Sequence, residues 1–344
     1  MVEYVLRGPR QIEAVTKEIP APTGTEVQIR IHSVGICGSD IHLFKGTYSA
    51  PHSYPMLFGH EWMGTVTAVG EDVTGFAPGD LVTGDCARYC GTCSNCAADK
   101  NICSHIEKFG ITVDGASAEY ILRDERYLYK APEGIRKDLL CLAEPVAVAA
   151  HLLGKVQRVL GGGFEGQRVL VMGGGVIGMS AAMLLRHMKG CVSVSLYDIS
   201  SHRAQVAAAA GMQIPLAEDL APKASGTDYA SMYADAKYDI VLETTGVAPV
   251  FANTLNLVKP GGVLGCVGMI NQVEIPQKLI VTKALTVVGS IGGTGNFEEA
   301  MGFLRGYPQY AEMLISHHFP IAGFEGAFET ACDPERSMKI VLDL

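Results

Sequence analysis

The sequence has no excess of basic residues and no uninterrupted run of about 18 apolar residues, the length that a membrane-spanning helix needs. Its 344 residues include 27 Lys and Arg against 36 Asp and Glu, a formal net charge of −9. This balance argues against a surface for nucleic acid or anionic membranes. Near the N-terminus, Arg7, Arg10 and Glu13 interrupt the segment where a secretory signal would have its apolar core. The sequence therefore predicts a soluble, cytoplasmic protein.

Ten cysteines and forty glycines are prominent among the residues that the sequence does contain. In a reducing compartment, cysteines are more often metal ligands or buried thiols than partners in disulfides. The glycines predict many tight turns. A chain of this length is sufficient for two domains and a large core.

A histidine and a carboxylate stand side by side at the head of an alternating apolar run, in the stretch Gly59–Gly70. The alternation predicts a strand, with His60 and Glu61 held at its start by ordered backbone. Upstream, Cys37 lies beside glycine in a turn rather than inside an apolar face. A cysteine, a histidine and a glutamate form a zinc site that leaves room for a substrate.

A second group of cysteines has the spacing of a closed metal site. Cys90, Cys93 and Cys96 are separated by two-residue gaps, and Cys103 follows. Four thiolates around a tetrahedral zinc leave no open position for a substrate, so this group predicts a structural zinc rather than a set of disulfides. Cys86 lies near this group in sequence but outside its pattern.

From Gln167 onward the sequence changes to an alternation of strands and helices. The pattern predicts a buried strand over Arg168–Met172, a glycine-rich turn over Gly173–Gly178 and a helix over Met179–Met188. A second strand, Val192–Tyr197, ends at Asp198. A GxGxxG turn between a strand and a helix, with an acidic residue about 20 residues further on, indicates a dinucleotide-binding unit.

Each glycine of this turn has a physical role in such a unit. Gly173 allows the tight turn, Gly175 lets the backbone approach the pyrophosphate, and Gly178 lets the helix pack on the strand. The phosphates then meet the N-terminus of the helix.

These motifs, taken in order, resemble the zinc-dependent medium-chain alcohol dehydrogenases. The similar segments are CGSDIH from Cys37, GHE at Gly59, the Cys90 cluster and the glycine-rich turn. The resemblance covers nearly the whole chain. It is nearest to the branch of polyol (sorbitol-type) and threonine dehydrogenases, because Leu142–Pro145 resembles the segment that carries a second glutamate, here Glu144, in that branch.

The resemblance implies an α/β fold with two domains. Residues 1–148 and 292–344 would form a β-rich, GroES-like catalytic domain, with a structural zinc lobe at about residues 86–104. Residues 149–291 would form a Rossmann domain with a doubly wound parallel sheet that binds NAD. The chain would then act on an alcohol or ketone and assemble as a homotetramer or homodimer.

The resemblance also implies the site residues and two zinc ions per chain. The metal ligands would be Cys37, His60, Glu61 and Glu144 at the catalytic zinc, and Cys90, Cys93, Cys96 and Cys103 at the structural zinc. Glu144 would ligate directly, through water or in alternation. Ser39 and His42 would relay the proton through the cofactor ribose. The cofactor-binding residues would be Gly173, Gly175, Val176, Ile177, Gly178, Asp198, Arg203, Val267 and Ser290.

Two departures from the family pattern bear on function. The interval between Cys96 and Cys103 is one residue shorter than usual, which predicts a tighter lobe. Sorbitol-type members carry an Arg-Tyr pair after the Gly-Ser near the active site, whereas here Ser290 is followed by Ile291 and two glycines. The expected substrate is therefore a secondary alcohol on a polyol, a cyclitol or a sugar-derived compound rather than sorbitol itself.

Three alternative functions remain open at this point. The chain resembles L-threonine 3-dehydrogenases as well as polyol dehydrogenases. A zinc-free reductase of activated double bonds belongs to the same superfamily, but the intact Cys37, His60 and Glu61 argue against it. A sensor that binds nucleotide without turnover would have substituted ligand or relay residues, and none is seen.

Outside the motifs, the coarse pattern predicts a further set of elements. We expect a helix over Asp138–Leu153 that carries Glu144 as a buried carboxylate facing the site, and a flexible break between the domains at Gly161–Gly163. The remaining predictions are Tyr238–Glu243, Gly261–Gly268, Leu285–Ser290 and Lys339–Leu342 as strands and Phe251–Leu257 and Asn296–Arg305 as helices.

Overall fold

The computed structural model describes residues 1–221 and 228–344, and the chain forms two compact units. The first unit contains residues 1–147 and 292–344, and the second contains residues 148–291. The chain passes from the first unit to the second within one helix, between Ala147 and Val148.

The described residues form 17 strands and 12 α-helices. Strands β1–β17 are, in chain order, Val2–Gly8, Gln11–Thr16, Glu26–Ile36, Met56–Leu57, Glu61–Val69, Leu81–Gly84, Ala87–Arg88, Glu107–Lys108, Tyr120–Asp124, Leu128–Lys130, Arg168–Met172, Ser193–Tyr197, Tyr238–Glu243, Val258–Cys266, Thr286–Gly289, Ile315–Pro320 and Lys339–Asp343. Helices α1–α12 are Gly38–Lys45, Ser94–Ala98, Ala143–Leu160, Val176–Met183, Ser201–Ala209, Ala217–Leu220, Tyr229–Met232, Ala248–Leu257, Lys278–Thr282, Phe297–Gly306, Pro308–Ala311 and Phe324–Ala331. Short 3₁₀ segments are Lys100–Ile102, Glu125–Tyr127, Lys137–Leu142, Glu312–Leu314 and Ile321–Gly323, and α4 continues as one π-helical turn, Leu184–Met188.

The first unit is built on a mixed sheet with the strand order β10-β6-β5-β3-β17-β16, and β9 also pairs with β3. A smaller sheet has the order β2-β1-β4. Strand β3 alternates between buried and more exposed residues, so that Val27, Ile29 and Ile31 are buried while the residues between them are not. This period of two places one face of the strand in an apolar cluster with Trp62.

The second unit is built on a five-stranded parallel sheet with the order β12-β11-β13-β14-β15. Gln213 adds a parallel bridge to Ser195 on the outer side of β12. The order follows the doubly wound arrangement, with β11 between the two halves. Strands β11 and β13 are apolar and buried because helices cover both faces of such a sheet. The predicted doubly wound parallel sheet is confirmed.

Helix α3 is longer than the sequence pattern predicts. It begins at Ala143 after a 3₁₀ turn and continues to Leu160, past the predicted end at Leu153. It continues beyond Gly154 because Val156 keeps the helical spacing of fully buried apolar residues. The interpretation of Gly161–Gly163 as a break between domains is therefore wrong. Gly161 instead ends the helix with a φ of 66°.

The same region contains the longest apolar helical segment among the described residues, Lys137–Leu160. Its most apolar window has a mean hydropathy of 1.6, which is high enough for a membrane span by composition alone. However, 83% of that window is buried inside the protein. The segment is therefore a core helix.

The C-terminal segment contains three regular elements that the sequence pattern did not predict, α11, β16 and α12. Strand β16 pairs in parallel with β17, and β17 pairs antiparallel with β3. The apolar side chains of α12 include Phe328, which stacks on Phe44 of α1 with a centroid distance of 4.4 Å. The end of the chain thus forms part of the main sheet of the first unit. It lies close to the predicted metal ligands.

Candidate active site and metal centres

Asp40 connects the turn of Cys37 to the segment that carries His60. Its buried carboxylate accepts hydrogen bonds from the backbone N–H of Cys37 at 2.9 Å and of Gly59 at 3.2 Å. Gly59 has a φ of 81°, and a Cβ there would lie 2.3 Å from Val34 Cγ1, so this position accepts only glycine. Two ligand candidates that are distant in sequence are therefore fixed side by side.

Glu61 begins β5, directly opposite Gly35 of β3. A Cβ on Gly35 would lie 2.5 Å from Glu61 Oε2, so the carboxylate occupies the space above this glycine. Lys339, the first residue of β17, forms a buried ion pair with the same oxygen. Its ammonium also donates to the Ile36 carbonyl oxygen at 2.9 Å. The C-terminal strand thus supplies the counter-charge of a predicted metal ligand.

The ligand atoms of Cys37, His60 and Glu61 lie within 4.8 Å of one another. Burial, followed by the Glu61 charge, raises the pKa of Cys37 to about 12, so a thiolate at this position needs a cation. His60 Nδ1 is buried and has no hydrogen-bond partner among the described residues. A thiol, an imidazole and a carboxylate in this arrangement form a donor set that fits zinc.

Glu144 lies in the first turn of α3 and is 6% exposed. Burial raises its pKa to about 8. Its ligand atom lies within 4.8 Å of those of His60 and Cys86. The expected buried carboxylate is therefore observed next to the predicted metal site, and Cys86 accompanies it.

The four cysteines of the predicted lobe form a compact cluster of sulfur atoms without disulfides. The Sγ–Sγ distances are 3.5 Å for Cys93 and Cys96, 3.6 Å for Cys90 and Cys103, and 3.9 Å for both Cys90–Cys96 and Cys93–Cys103. Zinc–thiolate bonds of about 2.3 Å in a tetrahedron give sulfur separations of about 3.8 Å. The cluster therefore fits a closed zinc site, in spite of its shorter loop.

The loop of this lobe is joined to the start of the C-terminal segment. Asn101 accepts a hydrogen bond from the Thr294 N–H at 3.0 Å and donates to the Thr294 carbonyl at 3.2 Å. The Thr294 hydroxyl donates to Asp85 at 3.0 Å. Residues 100–102 lie between the third and fourth cysteines, so these hydrogen bonds connect the metal lobe to the rest of the first unit.

Replacing Cys93 with serine should lower the stability of the first unit. Three thiolates hold a structural zinc poorly, and the binding energy of such a zinc is coupled to folding. Chemical unfolding followed by the fluorescence of Trp62, which is buried in this unit, would report the loss. Cys332→Ser, which removes a half-buried thiol outside the cluster, is the matched control. An equal midpoint for Cys93→Ser and wild type would contradict a structural role for the ion.

The two predicted relay residues differ in their surroundings. Ser39 Oγ is buried and makes no hydrogen bond of normal geometry among the described residues, although its interaction with the Cys37 thiol acts to lower the pKa of that thiol. His42 is exposed on α1, and its Nδ1 lies 2.9 Å from the Thr47 hydroxyl. A buried hydroxyl without a hydrogen bond of normal geometry in the chain is expected where a ligand completes the hydrogen bonds.

The glycine-rich turn has the geometry that its sequence predicts. Gly173 has a φ of 106°, and a Cβ on Gly178 would lie 2.0 Å from the Gly173 carbonyl oxygen. A Cβ on Gly175 would meet nothing within 4 Å. The turn therefore needs its first and third glycines for packing, while the second faces open space at the N-terminus of α4.

The other predicted cofactor contacts lie at the carboxyl edge of the parallel sheet. Val176 and Ile177 begin α4, and Val267 and Ser290 directly follow β14 and β15. Ser290 Oγ is buried without a partner among the described residues. Ligands of open parallel sheets bind at this edge.

Asp198 follows β12 and is held by backbone groups. Its carboxylate accepts hydrogen bonds from the N–H of Gly174 at 2.6 Å and of Ser200 at 2.8 Å. Arg203 Nη1 lies 3.8 Å from the same carboxylate. The charge of Asp198 therefore has a fixed position beside the turn, with the arginine next to it.

Sequence reasoning missed three residues near the candidate metal site. Lys339 carried one available signal, since a lysine that begins a buried apolar strand needs a partner. Tyr48 packs against the apolar cluster that contains Cys86, and burial, followed by the Cys86 and Cys37 thiols, raises the pKa of Tyr48. Cys86 and Tyr48 carried no local signal, because each depends on contacts with residues distant in sequence.

Comparisons with known proteins match both units. The family described as "Alcohol dehydrogenase GroES-like domain" matches residues 23–133, and the family described as "Zinc-binding dehydrogenase" matches residues 176–306. A sorbitol dehydrogenase from Halalkalibacterium halodurans is 30% identical over 332 residues, covering 95% of this chain and 94% of the relative. The chain belongs to the zinc-dependent medium-chain alcohol dehydrogenase family.

Two further relatives of this dehydrogenase support the predicted branch and fold. An L-threonine 3-dehydrogenase from Deinococcus deserti is 31% identical over 338 residues, covering 96% of this chain and 94% of the relative. The crystal structure of an Escherichia coli alcohol dehydrogenase complexed with NADH has a TM-score of 0.88 at 26% identity and covers 100% of this chain and 99% of that one. The predicted family, its polyol and threonine branch, the enzyme class and the α/β fold are confirmed.

Proposed function

We propose that this dehydrogenase transfers hydride between NAD and the secondary alcohol or ketone of a polyol, a cyclitol or a sugar-derived compound. The observation that carries the proposal is the set of Cys37, His60 and Glu61 ligand atoms within 4.8 Å of one another. A zinc ion held there would lower the pKa of a substrate hydroxyl toward neutrality, and NAD would accept the hydride. A sorbitol dehydrogenase and a threonine dehydrogenase among the relatives support this chemistry.

The side chains of this dehydrogenase would hold the reactants and move one proton. Cys37, His60, Glu61 and Glu144 would fix the metal. The Ser39 hydroxyl would take the proton from the substrate hydroxyl and pass it, through the cofactor ribose, to His42. Because His42 is exposed, it would release that proton to solvent.

Residues 1–148 and 292–344 would then form the catalytic domain and residues 149–291 the NAD-binding domain. Val176, Ile177, Val267 and Ser290 would contact the cofactor beside the glycine-rich turn. We also propose a cytoplasmic homotetramer or homodimer. Sedimentation at several protein concentrations would test the assembly.

Gly292 bears on the substrate class, because the structure leaves no space there for a larger side chain. A Cβ on Gly292 would lie 2.1 Å from Asn101 Oδ1, and Gly292 has a φ of 70°. A tyrosine at this position, the second residue of the Arg-Tyr pair, would therefore displace the Asn101 contact with Thr294, and Ile291 stands where the arginine would be. This segment therefore contains no guanidinium that could bind the hydroxyls of a polyol. Its absence argues against sorbitol itself as the substrate.

A substrate screen tests the proposed function directly. Polyols, inositols, sugar acids and L-threonine would be incubated with the zinc-loaded protein and NAD, and NADH formation would be followed by its absorbance. We expect turnover with a polyol, cyclitol or sugar-derived alcohol. Activity confined to L-threonine would favour the alternative amino alcohol reaction, and no NADH with any alcohol would contradict the proposal.

Replacing Ser39 with alanine should slow hydride transfer while leaving cofactor binding unchanged. A positioned proton relay contributes a factor of about 10² to 10⁴ in rate. Single-turnover NADH formation and NAD titration would separate the two effects. Ser39→Thr keeps a hydroxyl and is the control that should retain more activity than Ser39→Ala. An unchanged rate for Ser39→Ala, with chemistry rate-limiting, would show that the hydroxyl relays no proton.

Wild-type protein should prefer NAD to NADP, and Asp198 should be the cause. A carboxylate at the end of the second strand accepts hydrogen bonds from the ribose hydroxyls and repels a 2′-phosphate. Such like-charge contacts typically cost several kcal/mol, and each 1.4 kcal/mol is about tenfold. Asp198→Asn removes the charge and keeps an acceptor for the Gly174 N–H, so it should reduce the NAD preference at least about tenfold.

Asp198→Ala should relax the same preference but also loses the backbone contact. The difference between wild type and Asp198→Asn therefore isolates the charge, and the difference between Asp198→Asn and Asp198→Ala isolates the contact. Steady-state kcat/KM values with both cofactors provide the measurement. Arg203→Ala should leave the NAD preference in place. A higher kcat/KM with NADP than with NAD in the wild type would show that Arg203 rather than Asp198 determines the choice of cofactor.

A further inference from the structure

Cys86 lies beside the candidate metal centre, although its sequence position is next to the structural zinc lobe. Its sulfur, a His60 nitrogen and a Glu144 oxygen all lie within 4.8 Å of one another. The three residues are 8%, 4% and 6% exposed, respectively. They therefore form a second buried group of zinc-binding side chains that shares His60 with the first.

The backbone around Cys86 is fixed in place. The carboxylate of the preceding residue, Asp85, accepts hydrogen bonds from the Ala87 N–H, the Tyr129 hydroxyl and the Thr294 hydroxyl at 2.9, 3.2 and 3.0 Å. The Cys86 carbonyl accepts a hydrogen bond from the Phe109 N–H at 2.9 Å. The thiol is therefore positioned by the fold rather than by a mobile loop.

Packing alone accounts for part of the position of this thiol. Cys86 contacts an apolar cluster of the first unit that includes Leu6, Ile36 and Phe58. Its hydrogen bond to the Phe109 carbonyl is long, at 3.8 Å. Neither contact explains why an imidazole and a carboxylate meet the same sulfur in a buried place.

The two carboxylates near His60 differ in their counter-charges. Glu61 is already paired with the buried ammonium of Lys339. Within residues 1–221 and 228–344, no ion pair to Glu144 is found. The His60 imidazole is the basic side chain beside Glu144, and a buried carboxylate with an imidazole as its partner is stabilised by a proton or by a metal ion that both groups bind.

We propose that Cys86 is a further ligand of the metal at His60. His60, Cys86 and Glu144 form an alternative ligand set, so that the metal is held either by this set or by Cys37, His60 and Glu61. A thiolate, an imidazole and a carboxylate take Zn²⁺, and also Co²⁺ or Cd²⁺, in tetrahedral coordination. As the sulfur–metal bond forms, the Cys86 thiol releases its proton to solvent. The inference rests on the proposed metal centre at His60.

Cobalt substitution tests the ligand directly, because a thiolate bound to Co²⁺ produces a charge-transfer absorption whose intensity follows the number of sulfur ligands. The full chain would be loaded with Co²⁺, and the metal retained per chain and the spectrum would be measured for wild type, Cys37→Ala, Cys86→Ala and the double variant. His60→Ala supplies the reference spectrum of the structural thiolates. Cys191→Ala, which removes a fully buried thiol of the second unit, is the matched control.

Cys37→Ala should keep a cobalt ion at His60 and its thiolate absorption, and the double variant should lose both. The cobalt affinity of the double variant should be at least about tenfold below that of Cys37→Ala. Replacing residues that only hydrogen-bond to a metal ligand already lowers metal affinity by about this factor. Equal affinities and spectra for these two variants would contradict the role of Cys86 as a ligand but would leave the proposed function in place. A wild-type chain with no metal beyond the four-cysteine cluster would overturn it together with the proposed function. If Cys86→Ala does not fold, Cys86→Ser, which keeps the volume, provides the same comparison.

Discussion

Replacing His60 with alanine should abolish turnover while the fold and the binding of NAD persist. His60 belongs to both groups of ligand atoms at the candidate active site, so its removal leaves neither of these groups complete. A catalytic metal contributes several kcal/mol to the transition state, and each 1.36 kcal/mol is about tenfold in rate. We therefore expect kcat to fall by a factor of about 10³ or more. Steady-state kinetics with the best alcohol from the screen, and NAD titration, would measure the two properties.

The control for this variant is a histidine outside the site. His318 is exposed on β16, where its Nδ1 lies 3.0 Å from Asp343. His318→Ala should keep nearly full activity. A contribution of about 1.36 kcal/mol to the transition state changes the rate about tenfold. If His60→Ala retained more than about a tenth of the wild-type kcat, the metal would contribute less than this amount and would not be catalytic.

Replacing Lys339 with methionine should strongly destabilise the metal-free protein. The variant leaves the Glu61 carboxylate buried without its partner, and breaking a buried pair in this way costs about 3–5 kcal/mol. Denaturant unfolding of chelator-treated protein would give the change in the free energy of unfolding. The deficit should shrink in zinc-loaded protein, because a bound cation supplies the missing counter-charge of Glu61.

An exposed ion pair provides the comparison for Lys339→Met. Lys130 lies 2.6 Å from Asp80, and its side chain is 56% exposed. Lys130→Met should change the free energy of unfolding by at most about 1 kcal/mol, as is usual for exposed pairs. Lys339→Met/Glu61→Gln should recover part of the lost stability. A loss for Lys339→Met no larger than that for Lys130→Met would contradict the buried pair.

The parts of the fold that the sequence predicts are those that depend on local spacing. The glycine-rich turn is an example, since Gly173 and Gly178 are required by one tight turn and one close helix contact. The four lobe cysteines are another, because all the ligands of this closed site lie on one short loop. In both cases the constraint and the residues that satisfy it lie within about 20 residues of one another, the range that motif patterns describe.

The parts that the sequence does not predict depend on distant contacts. Lys339 reaches Glu61 only because β17 pairs with β3, a pairing that no local pattern indicates. Cys86 joins His60 and Glu144 because three separate segments converge there. The length of α3 was also underestimated, since tertiary burial of Val156 outweighs the weak helix propensity of Gly154.

The zinc content of the wild-type chain and of His60→Ala, measured side by side after chromatography without added metal, tests whether His60 holds a catalytic metal. We expect two zinc ions per chain in the wild type, one at the cysteine cluster and one at His60, and a single ion in the variant. Equal zinc content in the two proteins, or fewer than about one ion per chain in the wild type, would contradict a catalytic metal at His60.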